Sequence, residues 1–158
     1  MQILVDADAC PGAVKELLFR TSKKRSIALM LVANQQVRVP QSELIRTELV
    51  GWGMNVADRR IVELTQPGDL VITADIPLAA DVIAAGGEAL NPRGELYTET
   101  NVGDRLAQRN LMDELRGSGQ VTGGPAAYSD KDRQTFANAL DRWLTRRSRS
   151  PQEKRKPQ

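Results

Sequence analysis

Short apolar segments alternate with amphipathic segments through the first 85 residues, and this alternation constrains the fold more than any other feature. The segments "QILVD" (2–6) and "IALMLVAN" (27–34) lack the polar–apolar alternation of a strand with one exposed face. Continuous apolar strands are typical of a parallel sheet that is covered by helices on both faces. The sequence therefore predicts an α/β domain with a mainly parallel sheet and right-handed crossover connections.

Capping residues and turn residues place the other elements. We predict helices over residues 12–25, 41–53, 76–85 and 101–116, and a last helix that begins after Ser129. We predict further strands at "NVAD" (55–58), at residues 70–73, and in "GEAL" and "ELYT". The last helix has a capping pair, Ser129 and Asp132. Its apolar face is expected to carry Phe136, Leu140, Trp143 and Leu144.

The composition excludes several classes of enzyme and of protein. The 158 residues include no histidine, which excludes Ser–His and Cys–His nucleophile pairs and histidine-bound zinc. The one cysteine, Cys10, has no partner for an internal disulfide, and this favours a reducing compartment. No apolar run is long enough to span a bilayer. We expect a cytoplasmic protein whose chemistry depends on carboxylates, hydroxyls, cationic side chains or an oxygen-bound metal.

Charge is distributed unevenly along the chain. Residues 141–158 contain seven of the 22 basic residues and two of the 20 acidic residues, which gives +5 there and −3 over residues 1–140. We predict one α/β domain at residues 1–147 and a basic, disordered tail at residues 148–158. The tail is either a solubilising terminus or a contact for a polyanion.

Several acidic residues lie at the C-terminal ends of the predicted strands. Asp6 and Asp8 follow the first strand, Asp58 follows the predicted "NVAD" strand, and Asp75 lies just past the next one. The carboxyl ends of parallel strands share one edge of a sheet, which is where ligands bind. Clustered carboxylates repel one another, and a hard divalent cation such as Mg²⁺ or Mn²⁺ removes this repulsion. We predict a metal site with Asp6, Asp8 and Asp75 as ligands, suited to hydrolysis of a phosphate ester.

Each of these acids also has a simpler interpretation. Asp8 can complement the dipole of the helix that begins near Pro11, and Asp75 can cap the helix that follows it. Asp69 lies at the opposite end of its strand, in what resembles ordinary turn chemistry. Asp81 faces either the site or solvent. Cys10 is interpreted as a packed thiol rather than a nucleophile, because neighbouring carboxylates raise a thiol pKa.

Three long motifs resemble a known family. They are "ILVDADACP", "VADRRIVELTQPGDLVITADIPLA" and "GGPAAYSDKDRQTFANALDR", and they occur in the order that is found in the bacterial YaiI/YqxD family. The resemblance covers about residues 1–147. That family is largely uncharacterised and is grouped with PIN-like domains, whose better-known members are metal-dependent ribonucleases and structure-specific nucleases.

The resemblance implies a PIN-like domain and roles for individual acids. Asp6 matches the first strand-end acid of PIN-like nucleases, and Asp75 in "VITADIPLA" matches a later one. Asp58 is the choice for an intermediate acid, with Asp69 as its rival. The segment "SDKDRQ" belongs to this family rather than to PIN domains in general, so roles for Asp130 and Asp132 do not follow.

The function predicted on this basis is metal-dependent cleavage of RNA or DNA, with RNA favoured. Asp6, Asp8, Asp58 and Asp75 are the candidate catalytic residues, Mg²⁺ or Mn²⁺ is the cofactor, and Arg133 with the basic tail contacts phosphate. Two alternatives remain open. One is a phosphatase of the haloacid dehalogenase type, which also begins with a strand-end DxD. The other is a non-catalytic module that binds nucleic acid or associates with the ribosome, and the sequence does not decide between an enzyme and such a module.

Overall fold

A computed structural model describes residues 1–120 and 126–148 of the chain. Within these residues six strands form one sheet, and helices cover both of its faces. The strands are β1 (Gln2–Asp6), β2 (Ala28–Ala33), β3 (Ile45–Leu49), β4 (Leu70–Ile72), β5 (Glu88–Leu90) and β6 (Leu96–Tyr97). The helices are α1 (Gly12–Arg25), α2 (Val56–Leu64), α3 (Ile76–Ala84), α4 (Val102–Gly117) and α5 (Asp130–Ser148).

The strands lie in the order β3-β2-β1-β4-β5-β6, and all neighbours are parallel except β5 and β6. Val5 of β1 lies between Leu31 of β2 and Ile72 of β4. These strands are buried on both faces, which explains why their sequences are continuously apolar. The predicted α/β fold with a mainly parallel sheet is confirmed.

The two faces of the sheet have separate cores. On one face, α1 and α5 pack against the sheet, with Val14, Leu18 and Phe136 among the buried side chains. On the other face, α2 and α3 pack over Leu4 and Val71. Helix α4 packs beside α3 through Val102. The central strands β1, β2 and β4 therefore point alternate side chains into different cores, as the period of two in a strand requires.

Two sequence predictions are wrong, and both concern residues 41–58. The segment predicted as a helix over 41–53 contains strand β3, which pairs with β2 at the edge of the sheet. Only Ile45 of this strand is buried, while Arg46 is exposed. Charged residues suit an edge strand because they discourage pairing with another chain, and they made the segment resemble an amphipathic helix.

The "NVAD" segment, predicted as a strand, is the beginning of α2. Asn55 precedes the helix with φ of 66°, in the left-handed region that asparagine tolerates better than most residues. Ile61 then points into the core. Four residues are too few for periodicity to distinguish a strand from a helix, and the burial of Ile61 in the core favours the helix.

The last helix follows the prediction closely. The backbone N–H of Ser129 donates to Asp132 Oδ2 at 3.0 Å, and the N–H of Asp132 donates to Ser129 Oγ at 3.2 Å, which completes the capping pair. The predicted apolar face, Phe136, Leu140, Trp143 and Leu144, is buried. Residues 149–158 of the predicted basic tail lie outside the described residues. No helix in the described part of the chain is long and apolar enough to cross a membrane.

Candidate functional site

The connections that leave β1 and β4 diverge to opposite faces of the sheet. β1 is followed by α1 on one face, and β4 is followed by α3 on the other, although the two strands are neighbours. This arrangement is a topological switch point, and it opens a crevice at the carboxyl ends of the two strands. Asp6 is the last residue of β1, and Thr73 and Asp75 follow β4, so the predicted acids lie where such a sheet binds its ligands.

Thr73 connects the two strand ends. Its hydroxyl Oγ1 donates to Asp6 Oδ2 at 3.0 Å and accepts from the backbone N–H of Asp75 at 3.0 Å. Thr73 is only 1% exposed, so these bonds are shielded from water. The side chain holds Asp6 in one orientation and fixes the backbone of Asp75. The sequence alone favours a structural role for this strand-end threonine over phosphate binding, and the two hydrogen bonds agree with that role.

Asp75 is the N-cap of α3. Its Oδ1 accepts a hydrogen bond from the backbone N–H of Leu78 at 3.0 Å, and Pro77 lies in the first turn. The capping interpretation of Asp75 is therefore correct. The cap uses one carboxylate oxygen, and within the described residues the other oxygen accepts no hydrogen bond. A capping role and a ligand role are thus compatible in the same side chain.

Asp8 follows β1 by two residues, in a short 3-10 turn (Ala7–Ala9). Its Oδ2 accepts from the backbone N–H of Asn34 at 2.8 Å, and Asn34 comes directly after β2. Asp8 therefore joins the carboxyl ends of β1 and β2, and its side chain is exposed on that edge.

Asp58 lies at the same edge, although on a different element from the one predicted. It is in the first turn of α2 rather than after a strand. Burial raises its pKa, and the charges of Asp75 and Asp81 raise it further. Asp81 of α3 therefore faces this group. Asp58 and Asp81 also share a cavity of about 540 Å³ between α2 and α3.

The electrostatics centre on Asp6. Burial raises its pKa from 3.8 to about 6; the hydrogen bond from Thr73 opposes this, and the charges of Asp58, Asp75 and Asp8 add to it. Within the described residues, no cationic side chain is among the groups that shift this pKa. The protonated form of Asp6 is therefore favoured unless a cation joins the site and stabilises the carboxylate.

The donor chemistry of the site suits a hard cation. Each of Asp6, Asp8 and Asp75 uses one oxygen in a hydrogen bond and has a second oxygen that no described residue binds. Among residues 1–120 and 126–148, however, no three Asp, Glu or Cys side chains lie close enough together to hold a metal directly. The residues therefore fit an ion such as Mg²⁺ that keeps several waters and binds through one or two carboxylates.

Asn34 is a site residue that the sequence analysis missed. Its Oδ1 is buried and accepts no hydrogen bond from the described residues, which is costly for a polar atom. Asn34 comes directly after β2, just as Asp6 ends β1 and Asp75 lies shortly after β4. The rule that ligands bind at the carboxyl ends of parallel strands could therefore have identified it. Only acidic residues were predicted at the strand ends, so Asn34 was missed.

The other predicted residues lie elsewhere. Asp69 is at the opposite edge of the sheet, 2% exposed, and its carboxylate accepts from the backbone N–H groups of Gln2 at 3.1 Å and Gln66 at 2.9 Å. It joins the start of β1 to the turn before β4.

Burial raises the pKa of the Cys10 thiol to about 12, as expected for a packed thiol. Asp132 caps α5 and pairs with Arg93 at 2.9 Å.

Arg133 lies away from the acids, on the face that carries α1 and α5. It lines a groove between these two helices together with Arg20 and Lys24. The structure therefore divides the predicted residues into an acidic group at the carboxyl edge and a cationic group on one helical face.

Comparison with known sequences places the chain among bacterial proteins. A family model described as "Uncharacterized BCR, YaiI/YqxD family" matches residues 4–146. A UPF0178 protein of Maridesulfovibrio salexigens is 60% identical over 146 residues, which cover 92% of this chain and 97% of that protein. UPF0178 proteins of Alkalilimnicola ehrlichii and Cronobacter sakazakii are 61% and 56% identical, over 92% and 94% of this chain and 98% and 99% of theirs. No solved structure matches the chain. The chain belongs to the YaiI/YqxD family.

Proposed function

We propose that the protein is a metal-dependent nuclease that hydrolyses phosphodiester bonds at the carboxyl edge of the sheet. The observation that carries this proposal is the group of carboxylates around the half-buried Asp6 at the switch point between β1 and β4. A site of this charge does not bind a polyanionic substrate without a cation to bridge them. The resemblance to PIN-like ribonucleases favours RNA over DNA as the substrate.

Asp6, together with Asp8 or Asp75, would bind Mg²⁺ or Mn²⁺ directly, and the remaining acid of the three would contact the ion through water. Asn34, whose backbone N–H donates to Asp8, has a side-chain Oδ1 that no described group binds. The bound ion would polarise a phosphoryl oxygen and lower the pKa of a water molecule. This use of few protein ligands is typical of Mg²⁺ sites, in which substrate phosphate completes the coordination.

The chain itself supplies orientation and a base. Thr73 fixes the carboxylate of Asp6 and the backbone before α3, so the ligand oxygens keep their positions. Asp58, whose pKa is raised, would accept the proton of the attacking water at a carboxylate oxygen. A carboxylate with a raised pKa is a better base at neutral pH than an unperturbed one.

Cleavage of labelled single-stranded RNA and DNA, with Mg²⁺, with Mn²⁺ and with EDTA, tests the proposal. We expect wild-type protein to cleave RNA only with a divalent cation, and Asp6→Asn to lose this activity. Asp104→Asn, which removes an exposed carboxylate from the first turn of α4, serves as the matched control and should cleave normally. Absence of cleavage by wild type under all conditions, or equal cleavage by Asp6→Asn, would contradict the proposal.

A further inference from the structure

The face opposite α2 and α3 carries a groove between α1 and α5, which we call the α1–α5 groove. Its volume is about 330 Å³, and three cationic side chains line it: Arg20 and Lys24 from α1 and Arg133 from α5. Arg20 and Lys24 are one helical turn apart, so they lie on the same face of α1. Leu17 and Ala137 also line the groove.

The three cations have no acidic counterpart in the groove. No carboxylate lines it, and none of the three forms an ion pair with a described residue. A different contact joins the same helices beside the groove: Arg25 of α1, which directly follows Lys24, pairs with Asp141 of α5, one turn beyond Ala137. Opposite charges therefore pair beside the groove, whereas the groove itself contains like charges. A bound anion would reduce the repulsion among these three cations.

The position of the groove relates it to the acidic site. Helix α1 leaves the carboxyl edge just after Asp8, and α5 begins at the same edge, because Asp132 pairs with Arg93 shortly after β5. Arg133 therefore marks the end of the groove that is nearer the acids. A bound polyanion could extend from the carboxyl edge along the outer surface of α1 and α5.

We propose that the α1–α5 groove binds the phosphate backbone of a single-stranded RNA, a proposal that rests on the proposed function in taking this RNA as the substrate. Cationic side chains supply most of the affinity for a nucleic-acid backbone, and the contact is independent of base sequence. The acidic site alone repels such a strand, so the groove supplies the attraction that brings it to the carboxyl edge.

Two triple variants with the same change of net charge test the groove. The first, Arg20→Gln/Lys24→Gln/Arg133→Gln, removes the groove cations. The second, Lys23→Gln/Arg46→Gln/Arg142→Gln, removes exposed cations from α1, β3 and α5 that do not line the groove. Binding of a fluorescein-labelled single-stranded RNA is measured by anisotropy in EDTA, so that the result does not depend on cleavage.

The groove variant should show a shallower dependence of affinity on salt than the control variant. Each phosphate contact contributes about 0.7 to the logarithmic salt slope for a single strand, so three lost contacts lower it by about 2. Between about 50 and about 200 mM salt, both proteins lose affinity. The factor by which wild type weakens should be about 20 times larger than the factor for the groove variant. If the triple variant does not fold, Lys24→Gln alone should lower the slope by about 0.7.

Three results would overturn the proposal: equal slopes for the two triple variants, no binding of RNA by wild type, or equally strong competition by polyglutamate, which would indicate an acidic protein partner. Groove-dependent binding without metal-dependent cleavage would support the groove and contradict only the proposed nuclease activity.

Discussion

Replacing Asp6 by Asn should stabilise the metal-free protein at neutral pH. Asn is close to Asp in shape, and its Oδ1 can accept the hydrogen bond that Thr73 Oγ1 donates to Asp6 at 3.0 Å. The substitution therefore removes the charge and retains the contact. The charge is the unfavourable part, because burial and the neighbouring acids raise the pKa of Asp6 to about 6.

The magnitude follows from the two protonation equilibria. Each tenfold change in such an equilibrium corresponds to about 1.4 kcal/mol, so raising the pKa from 3.8 to about 6 costs the ionised folded protein about 3 kcal/mol. Since Asp6 is only half-buried and solvent screens part of the repulsion, we expect a gain of about 1–3 kcal/mol for Asp6→Asn at pH 7.5.

The sign of the pH dependence is specific. Between pH 3.8 and about 6 the folded protein binds more protons at Asp6 than the unfolded chain does, so this residue lowers stability as pH rises through that range. Below about pH 4 both states are protonated at Asp6, and the difference between wild type and Asp6→Asn should vanish. The difference should grow through pH 5 and reach its full value above about pH 7.

Urea unfolding of both proteins in EDTA, from about pH 4 to about pH 8, measures this difference, and Asp104→Asn is unfolded alongside them as the comparison. A difference between Asp6→Asn and wild type that is constant with pH, or a variant that is less stable at pH 7.5, would refute the electrostatic description of the site.

Three further substitutions test other parts of the structure. Asp75→Asn should change stability by less than about 0.5 kcal/mol, because Asn caps a helix as well as Asp does, but it should abolish metal-dependent RNA cleavage; normal cleavage would exclude Asp75 as a ligand. Asp69→Ala should destabilise the protein by about 2–4 kcal/mol in urea unfolding, since it leaves the N–H groups of Gln2 and Gln66 without their acceptor; an unchanged midpoint would contradict this structural role. Cys10 should resist iodoacetamide at pH 8 in the folded protein, because burial raises its pKa to about 12, and Cys10→Ser should retain cleavage; rapid alkylation or loss of cleavage would show a reactive thiol.

The central strands of the sheet could be predicted from the sequence, because the cores on the two faces both require apolar side chains along these strands. Residues 3–5 and 70–72 are continuously apolar, since both strands are buried on both faces there. The edge was not predictable in this way. Strand β3 lies at the edge of the sheet that the described residues form and tolerates Arg46 and Glu48, so local periodicity favoured a helix there. The start of α2 was missed because the packing of Ile61 is a tertiary contact.

The candidate site was predictable to the extent that it depends on strand ends. Asp6 and Asp75 follow from the rule that parallel strands share a carboxyl edge, and the neighbouring positions of β1 and β4 place them together. Asp58 lies at the same edge but belongs to helix α2, and Asp81 of α3 is near it. The spacing of these residues in the sequence could not establish either position. Thr73 and Asn34 are uncharged, and their importance appears only in the hydrogen bonds and the buried oxygen of the folded chain.

A crystal structure of wild-type protein with Mn²⁺ and a non-hydrolysable RNA fragment tests the central claim most directly. Anomalous scattering locates Mn²⁺ independently of waters and other ions. We expect one Mn²⁺ at the carboxyl edge, bound by Asp6 and by Asp8 or Asp75, with waters and a phosphate oxygen completing its coordination. An anomalous peak elsewhere, or none at the carboxyl edge while RNA is bound, would contradict the assignment of a metal site to these acids.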